Sequence, residues 1–144
     1  MAEQGKGWRW YGRNYEAKTR VRMGQNMDAA AIFLANKIIG SFGSSGTTGG
    51  RSGATRQQRA TNRSKPWGPP NVDTGHLRRN VGYDIPAGRP LSRRIGTGIG
   101  NKESVGYAMW LEFGTRKMLP RPCLRPAIWN NRATLQRIMT RPMR

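Results

Sequence analysis

Residues 105–129, VGYAMWLEFGTRKMLPRPCLRPAIW, place four aromatics, two apolar runs and three prolines between isolated charges. Tyr107, Trp110, Leu111 and Phe113 mix helical and strand spacing, which predicts a short buried element that Gly114 ends. Thr115–Leu119 then reads as extended. Pro120 and Pro122 hold the residues before them in β or polyproline geometry, so the segment stays open until a helix begins. Pro126 lacks an N–H that a first helical turn would leave unused, which predicts a final helix starting near Leu124–Pro126. Glu112 is the one acid after Glu103 and lies between Leu111 and Phe113. That setting calls for a partner, expected among the arginines that follow.

Upstream of this stretch the chain alternates. Val81–Ile85 reads as a strand broken by Pro86. After the AGRP turn, Leu91–Ile99 alternates again, with Ile95, Thr97 and Ile99 on one side and Gly96 and Gly98 on the other. A glycine face admits close approach of another backbone or a bulky side chain. The expectation is an antiparallel pair, extended by strand residues near Val105–Tyr107 or Thr115–Leu119. Asp73 or Thr74 is placed to cap a short helical turn through His76–Asn80.

A longer helix is predicted from Tyr15 to Ile39, where Met23, Met27, Ala31, Leu34 and Ile38 form one apolar stripe. Gly24 weakens it and Gly40 is placed to stop it. Residues 1–14 are rich in Gly, Trp and Arg without periodicity and read as a basic, aromatic arm. Residues 43–71 are low in complexity and read as a long flexible loop, with Arg51, Arg56, Arg59, Arg63 and Lys65 and no acid. The last helix runs from about Leu124 to Met139, with Leu124, Ile128, Leu135 and Ile138 as its stripe. Arg132, Arg137 and Arg141 crowd its C-terminal end, where the helix dipole favours cations. The fold class expected is α+β: a small antiparallel sheet packed by a long N-terminal helix and a C-terminal helix, in a single domain over residues 15–144.

At 144 residues the chain can build one core. Only 35% of residues are hydrophobic, thin for a monomer, which argues for association with further copies. The net charge of +19, from 26 basic and 7 acidic residues, needs anionic company: nucleic acid, an acidic protein surface or membrane phosphate. One cysteine excludes an internal disulfide and a thiolate metal cluster, so cytoplasmic assembly is compatible. No run approaches the length of a membrane span, and the N-terminal stretch lacks the apolar region of a signal peptide.

Two segments carry a family resemblance. YAMWLEFGTRK followed by RPCLRPA resembles the Tyr-Ala…Glu-Phe-Gly-Thr…Pro-x-Leu-Arg-Pro-Ala ending of neck or tail-completion proteins of long-tailed phages. PPNVDTGHLRRNV is similar to the same family's Pro-Val-Asp-Thr-Gly-x-Leu-Arg-x-Ser segment, and the two occur in the family's order. With the N-terminal helix they cover about two thirds of the chain. Asn80 stands where Ser is usual, Cys123 where Phe is usual, and Arg/Gly-rich sequence fills the middle. The positions that match are Asp73, Thr74, Gly75, Leu77, Tyr107, Glu112, Phe113, Gly114, Thr115, Pro122, Leu124, Arg125, Pro126 and Ala127. The resemblance implies a structural virion protein that joins tail to capsid as a homo-oligomeric ring, a hexamer by analogy, around the DNA channel. It implies other neck and tail proteins as partners, viral DNA in the lumen as a further contact, and no membrane. Tail-tube terminator and head-closure rings are related alternatives.

His76 has no second histidine or paired cysteine for a metal or acid–base site, and a satisfied or solvent-facing histidine is the plainer reading. Asp73, three residues before it, is placed to orient it, but no nucleophile is placed by motif. Cys123 reads as core, although Arg121 and Arg125 are placed to lower its pKa. GTGIG at 96–100 is not the dinucleotide fingerprint, because its third glycine comes one residue early and no capped helix follows. Seven scattered carboxylates form no acid–base pair, so no catalysis, metal or cofactor is expected. Contacts to sibling subunits or channel DNA are expected from Arg51, Arg56, Arg59, Arg63, Lys65, Trp8, Trp10, Trp110, Arg116, Lys117 and Arg121, each of which has a solvated face or core packing as its bland alternative. Tyr107 and Phe113 are expected in the core, with Trp110 as an inter-subunit anchor. A competing class is a small basic protein that binds nucleic acid non-specifically, with Trp8, Trp10, Tyr11 and Trp67 stacking on bases.

Overall fold

The computed structural model describes residues 12–42, 66–71, 75–100 and 105–142. Over these the fold is α+β, as the sequence predicts: a long helix, a two-stranded antiparallel sheet and C-terminal helices. The elements are α1 (Gly12–Ser41), α2 (His76–Arg79), β1 (Val81–Asp84), β2 (Arg94–Thr97), α3 (Ala108–Phe113), α4 (Leu124–Asn130) and α5 (Arg132–Met139).

Helix α1 runs 30 residues, about 45 Å at the α-helical rise. It starts before the predicted boundary, so Gly12–Asn14 belong to the helix and not to the arm; residues 1–11 lie outside the described residues. At the other end it passes Gly40 and closes at Ser41, whose hydroxyl donates to the Ile38 carbonyl at 2.7 Å. The buried stripe is rotated from the expected one. Met23 is exposed and Met27 only half-buried, while Asn26, Ala30, Ala31, Leu34, Ala35 and Ile38 are buried. Alanines let the neighbouring elements approach the helix closely, and Asn26 is buried for a polar reason. Its Nδ2 donates to the carbonyls of Met139 and Arg141 at 3.3 and 3.1 Å, satisfying acceptors that the end of α5 leaves open.

The core lies between the C-terminal half of α1 and everything downstream. Leu34, Ile38 and Phe42 pack with Leu77, Val81, Val105 and Ala127, flanked by Ile95, Leu111, Cys123, Leu124 and Leu135. The sheet pairs Val81 with Thr97 and Asp84 with Arg94. β2 is shorter than predicted, because Ile99 leaves the strand and folds back on Gly96, where a Cβ would stand 3.1 Å from its Cδ1. The glycine face thus receives a bulky side chain, though from its own strand's exit. Neither predicted extension of the sheet exists among the described residues. Val105–Tyr107 leads into α3, and Thr115–Met118 is a tight turn bridged to itself, not an extended segment.

Two further expectations need correction. The final helix is two helices, α4 and α5, broken at Asn131, whose Nδ2 donates to the Ala127 carbonyl at 2.8 Å and so competes with the continuing ladder. Its stripe holds at Leu124 and Leu135, but Ile128 is exposed and Ala127 is buried in its place. Of the predicted loop, 43–65 lie outside the described residues. Its end is packed: the Trp67 N–H donates to the Pro120 carbonyl at 2.8 Å, and Pro70 is buried.

Candidate functional site

The C-terminal motif folds into a clasp built around Glu112. Helix α3 ends at Gly114, which adopts φ 78° and ψ 179° and donates its N–H to the Trp110 carbonyl at 2.8 Å. Only glycine enters this region readily. A Cβ there would also meet the Met118 carbonyl oxygen at 2.8 Å and Pro120 at 3.0 Å. The chain then turns through Thr115–Met118, with the Thr115 N–H on the Met118 carbonyl at 2.8 Å, and comes back along α3. The Arg121 N–H donates to the Leu111 carbonyl at 2.7 Å.

That return sets the start of α4 over the Glu112 carboxylate. Oε2 accepts the N–H groups of Cys123 and Leu124 at 2.8 and 3.0 Å, and Oε1 accepts the N–H of Arg125 at 2.9 Å. Glu112 is buried. The partner expected from an arginine side chain is therefore the backbone. Three of the N–H groups that a helix start leaves unsatisfied converge on one anion, at the end where the helix dipole favours negative charge. Arg125 instead lays its guanidinium over the Phe113 ring, 4.4 Å from the centroid.

The same environment decides Cys123. Burial first, then the Glu112 charge and hydrogen bond, push its thiol up to about 12. The expectation that Arg121 and Arg125 lower this pKa is overturned, since desolvation and a neighbouring carboxylate both disfavour the thiolate. At neutral pH the group is a protonated packing residue. Glu112 has committed its lone pairs to amides. His76 Nδ1 receives Asn80 Nδ2 at 3.4 Å, and Asn80 also bonds the His76 carbonyl at 3.0 Å. Among the described residues no group of three His, Cys, Asp or Glu is placed to hold a metal ion, and no helix is long and apolar enough to cross a membrane.

The upstream motif meets the clasp through the core. Gly75, at φ 75°, opens α2 at the N-cap position expected of Asp73 or Thr74, both of which lie outside the described residues. Leu77 and Ala127 share the core cluster, so the two segments distant in sequence pack together. Asn80 ends α2 and accepts the Gly98 N–H at 3.3 Å, tying that motif to the exit of β2.

Of the expected contact residues, Trp8, Trp10, Arg51, Arg56, Arg59, Arg63 and Lys65 lie outside the described residues. Arg116 and Lys117 are exposed in the turn, Arg121 is half-buried beside the clasp, and Trp110 is exposed. Tyr107 and Phe113 are exposed as well and do not belong to the core. The reason is the phase of α3: burying Leu111 and Glu112 turns Trp110 and Phe113 outward. Two features escaped the sequence reading. One is the apolar outward face of α3 and α4, which Met109 and Trp129 complete. The other is the Asp28–Arg93 ion pair that fastens the turn before β2 to α1, where Arg93 also donates to the Gly24 carbonyl at 3.1 Å. A shallow cleft of about 290 Å³ between α1 and β1, lined by Ile32, Ala35, Val81 and Tyr83 among others, holds no cluster of ionisable groups.

No family model, curated protein or solved structure matches the chain.

Proposed function

We propose that this chain is a structural protein of a tailed-phage neck, a tail-completion or head–tail connector subunit, and not an enzyme. In this reading copies assemble as a ring, six-fold by analogy, around the channel through which DNA passes. The ring joins capsid to tail in the virion after assembly in the host cytoplasm. Tail-tube terminator and head-closure rings remain within the same reading.

The observation that carries it is the imbalance between core and surface. Ile38 is the one fully buried large side chain among the described residues, while Tyr15, Val21, Trp67, Ile85 and Leu119 are more than half exposed. A chain that leaves so much apolar surface in water completes its burial by association. Two further facts support the reading. The C-terminal resembling segment acts as a fold lock, with the Glu112 carboxylate turned on backbone amides. The charge of +19 suits a subunit set against acidic neighbours or DNA.

Interruption of the gene in a producing strain tests it. Full heads and separate tails are expected in the lysate, with rings in micrographs of the purified protein. Infectious progeny from the interrupted strain would sink the proposal. The rival reading, a small basic protein that coats nucleic acid, predicts a monomer or dimer whose duplex affinity falls steeply with salt.

A further inference from the structure

The outward sides of α3 and α4 are both apolar and exposed. Met109, Trp110 and Phe113 lie within a single arc of α3 and are 63%, 55% and 60% exposed. Arg125 of α4 reaches across to the Phe113 ring. Trp129, four residues further along α4 and so on the same side as Arg125, is 76% exposed. The exposed cations Arg116 and Lys117 lie in the turn leaving α3, and Arg132 opens α5; none of the three forms an ion pair among the described residues. Aromatics, Met and Arg together are the composition enriched at the centres of protein interfaces.

Charge selects the occupant. From Val105 to Pro142 the one acid is Glu112, and it is held by backbone amides. Elsewhere in the described residues Asp28 and Asp84 are paired with Arg93 and Arg94, which leaves Glu16. A second copy set face to face here would bring the same excess of cations, and like charges brought together oppose docking. A nucleic acid would answer the cations and stack on the rings, but would offer the aliphatic Met109 and Ile128 nothing comparable.

We propose that this face docks a different protein, one that presents apolar anchors flanked by Asp and Glu. Trp110, Phe113 and Trp129 take the apolar anchors, while Arg116, Lys117 and Arg132 pair with the carboxylates at the rim. The assignment rests on this surface and does not need the neck reading.

Two helical peptides of equal length and equal negative charge test it. One carries leucines along one face among glutamates; the other has serines in place of the leucines. Titrated into the intact protein at ~150 mM salt, where long-range attraction is screened, the leucine peptide should bind about tenfold tighter or more. The Trp110→Ala/Trp129→Ala variant, altered at exposed positions and checked by an unchanged thermal melt, should bind both peptides alike. Trp129→Ala alone, with a partial loss, serves where the double variant melts early. Equal affinities for wild type, or a leucine preference that survives the substitutions, overturn the proposal. So does a wild-type oligomer in sedimentation that the variant dissolves, which would give the face to a second copy. A comparable loss of oligothymidine binding in the variant would give it to nucleic acid and overturns it too.

Discussion

Replacing Glu112 separates a fold lock from a surface acid. Its two oxygens accept three backbone N–H groups at 2.8–3.0 Å, and the residue is buried. In Glu112→Ala those donors lose their acceptor where water has little access. Each buried unsatisfied donor costs about 1–3 kcal/mol, and bonds to a charged acceptor lie at the upper end. Partial relaxation and water entry reduce the sum, so a loss of about 3–5 kcal/mol is expected. That is a large share of the ~5–15 kcal/mol that holds a small domain folded. Glu112→Gln keeps one acceptor oxygen and turns an NH2 group towards the amides, with an expected loss of about 1–3 kcal/mol. Glu112→Asp keeps the charge but shortens the reach, and should fall between the two. Urea denaturation followed by circular dichroism at neutral pH measures all three. A loss under about 1 kcal/mol for the alanine variant would refute the clasp as a determinant of the fold. Glutamine as stable as wild type would refute the role of the charge.

Gly114→Ala should lose about 3 kcal/mol or more, because strain in a glycine-only region adds to a Cβ pressed against the Met118 carbonyl; a melt within a degree or two of wild type would contradict this. Cys123, with its thiol near 12, should be alkylated at pH 8 about a thousandfold more slowly than a free thiol, and its rate should keep climbing past pH 10. The linked effect on stability has a definite sign. The folded value lies above the ordinary 9.0, so the contribution is intact below about pH 9 and is lost as the pH rises towards 12. Cys123→Ala, compared with wild type across that window, should show a shallower decline. Asp28→Ala strands Arg93, whose side chain is only 6% exposed, and should cost about 2–3 kcal/mol. Asp84→Ala breaks the more exposed pair with Arg94 and should cost clearly less than Asp28→Ala, and reversal of that order in denaturant melts would refute the burial argument.

The stretch 105–129 displays its stops and starts openly, and the structure follows them: Gly114 ends α3 and the proline run delivers α4. Both are local effects, set by the dihedral limits of single residues, and so legible without knowing what packs nearby. The α+β class followed from periodicity in the same way. The partner of Glu112 was not legible. A carboxylate beside arginines in sequence suggests a salt bridge, and only the return of the chain through Arg121 brings the amide groups of α4 to it. The phase of α1 was missed because an Ala/Asn stripe carries little hydropathy contrast. Its burial is decided by how closely α5 approaches and by two open carbonyls at the end of that helix.

Sequence by itself determined the kind and order of the main elements, the stop at Gly114 and the start of α4 after the prolines, the excess of positive charge, and the scarcity of apolar residues for a core. Each is a sum over residues or a constraint within a few of them. Tertiary structure alone decided which aromatics face outward, which carboxylate is neutralised by the backbone and that the lone thiol stays protonated. Those outcomes depend on contacts between segments far apart in the chain, where a rotation of one helix by a single residue exchanges core for surface.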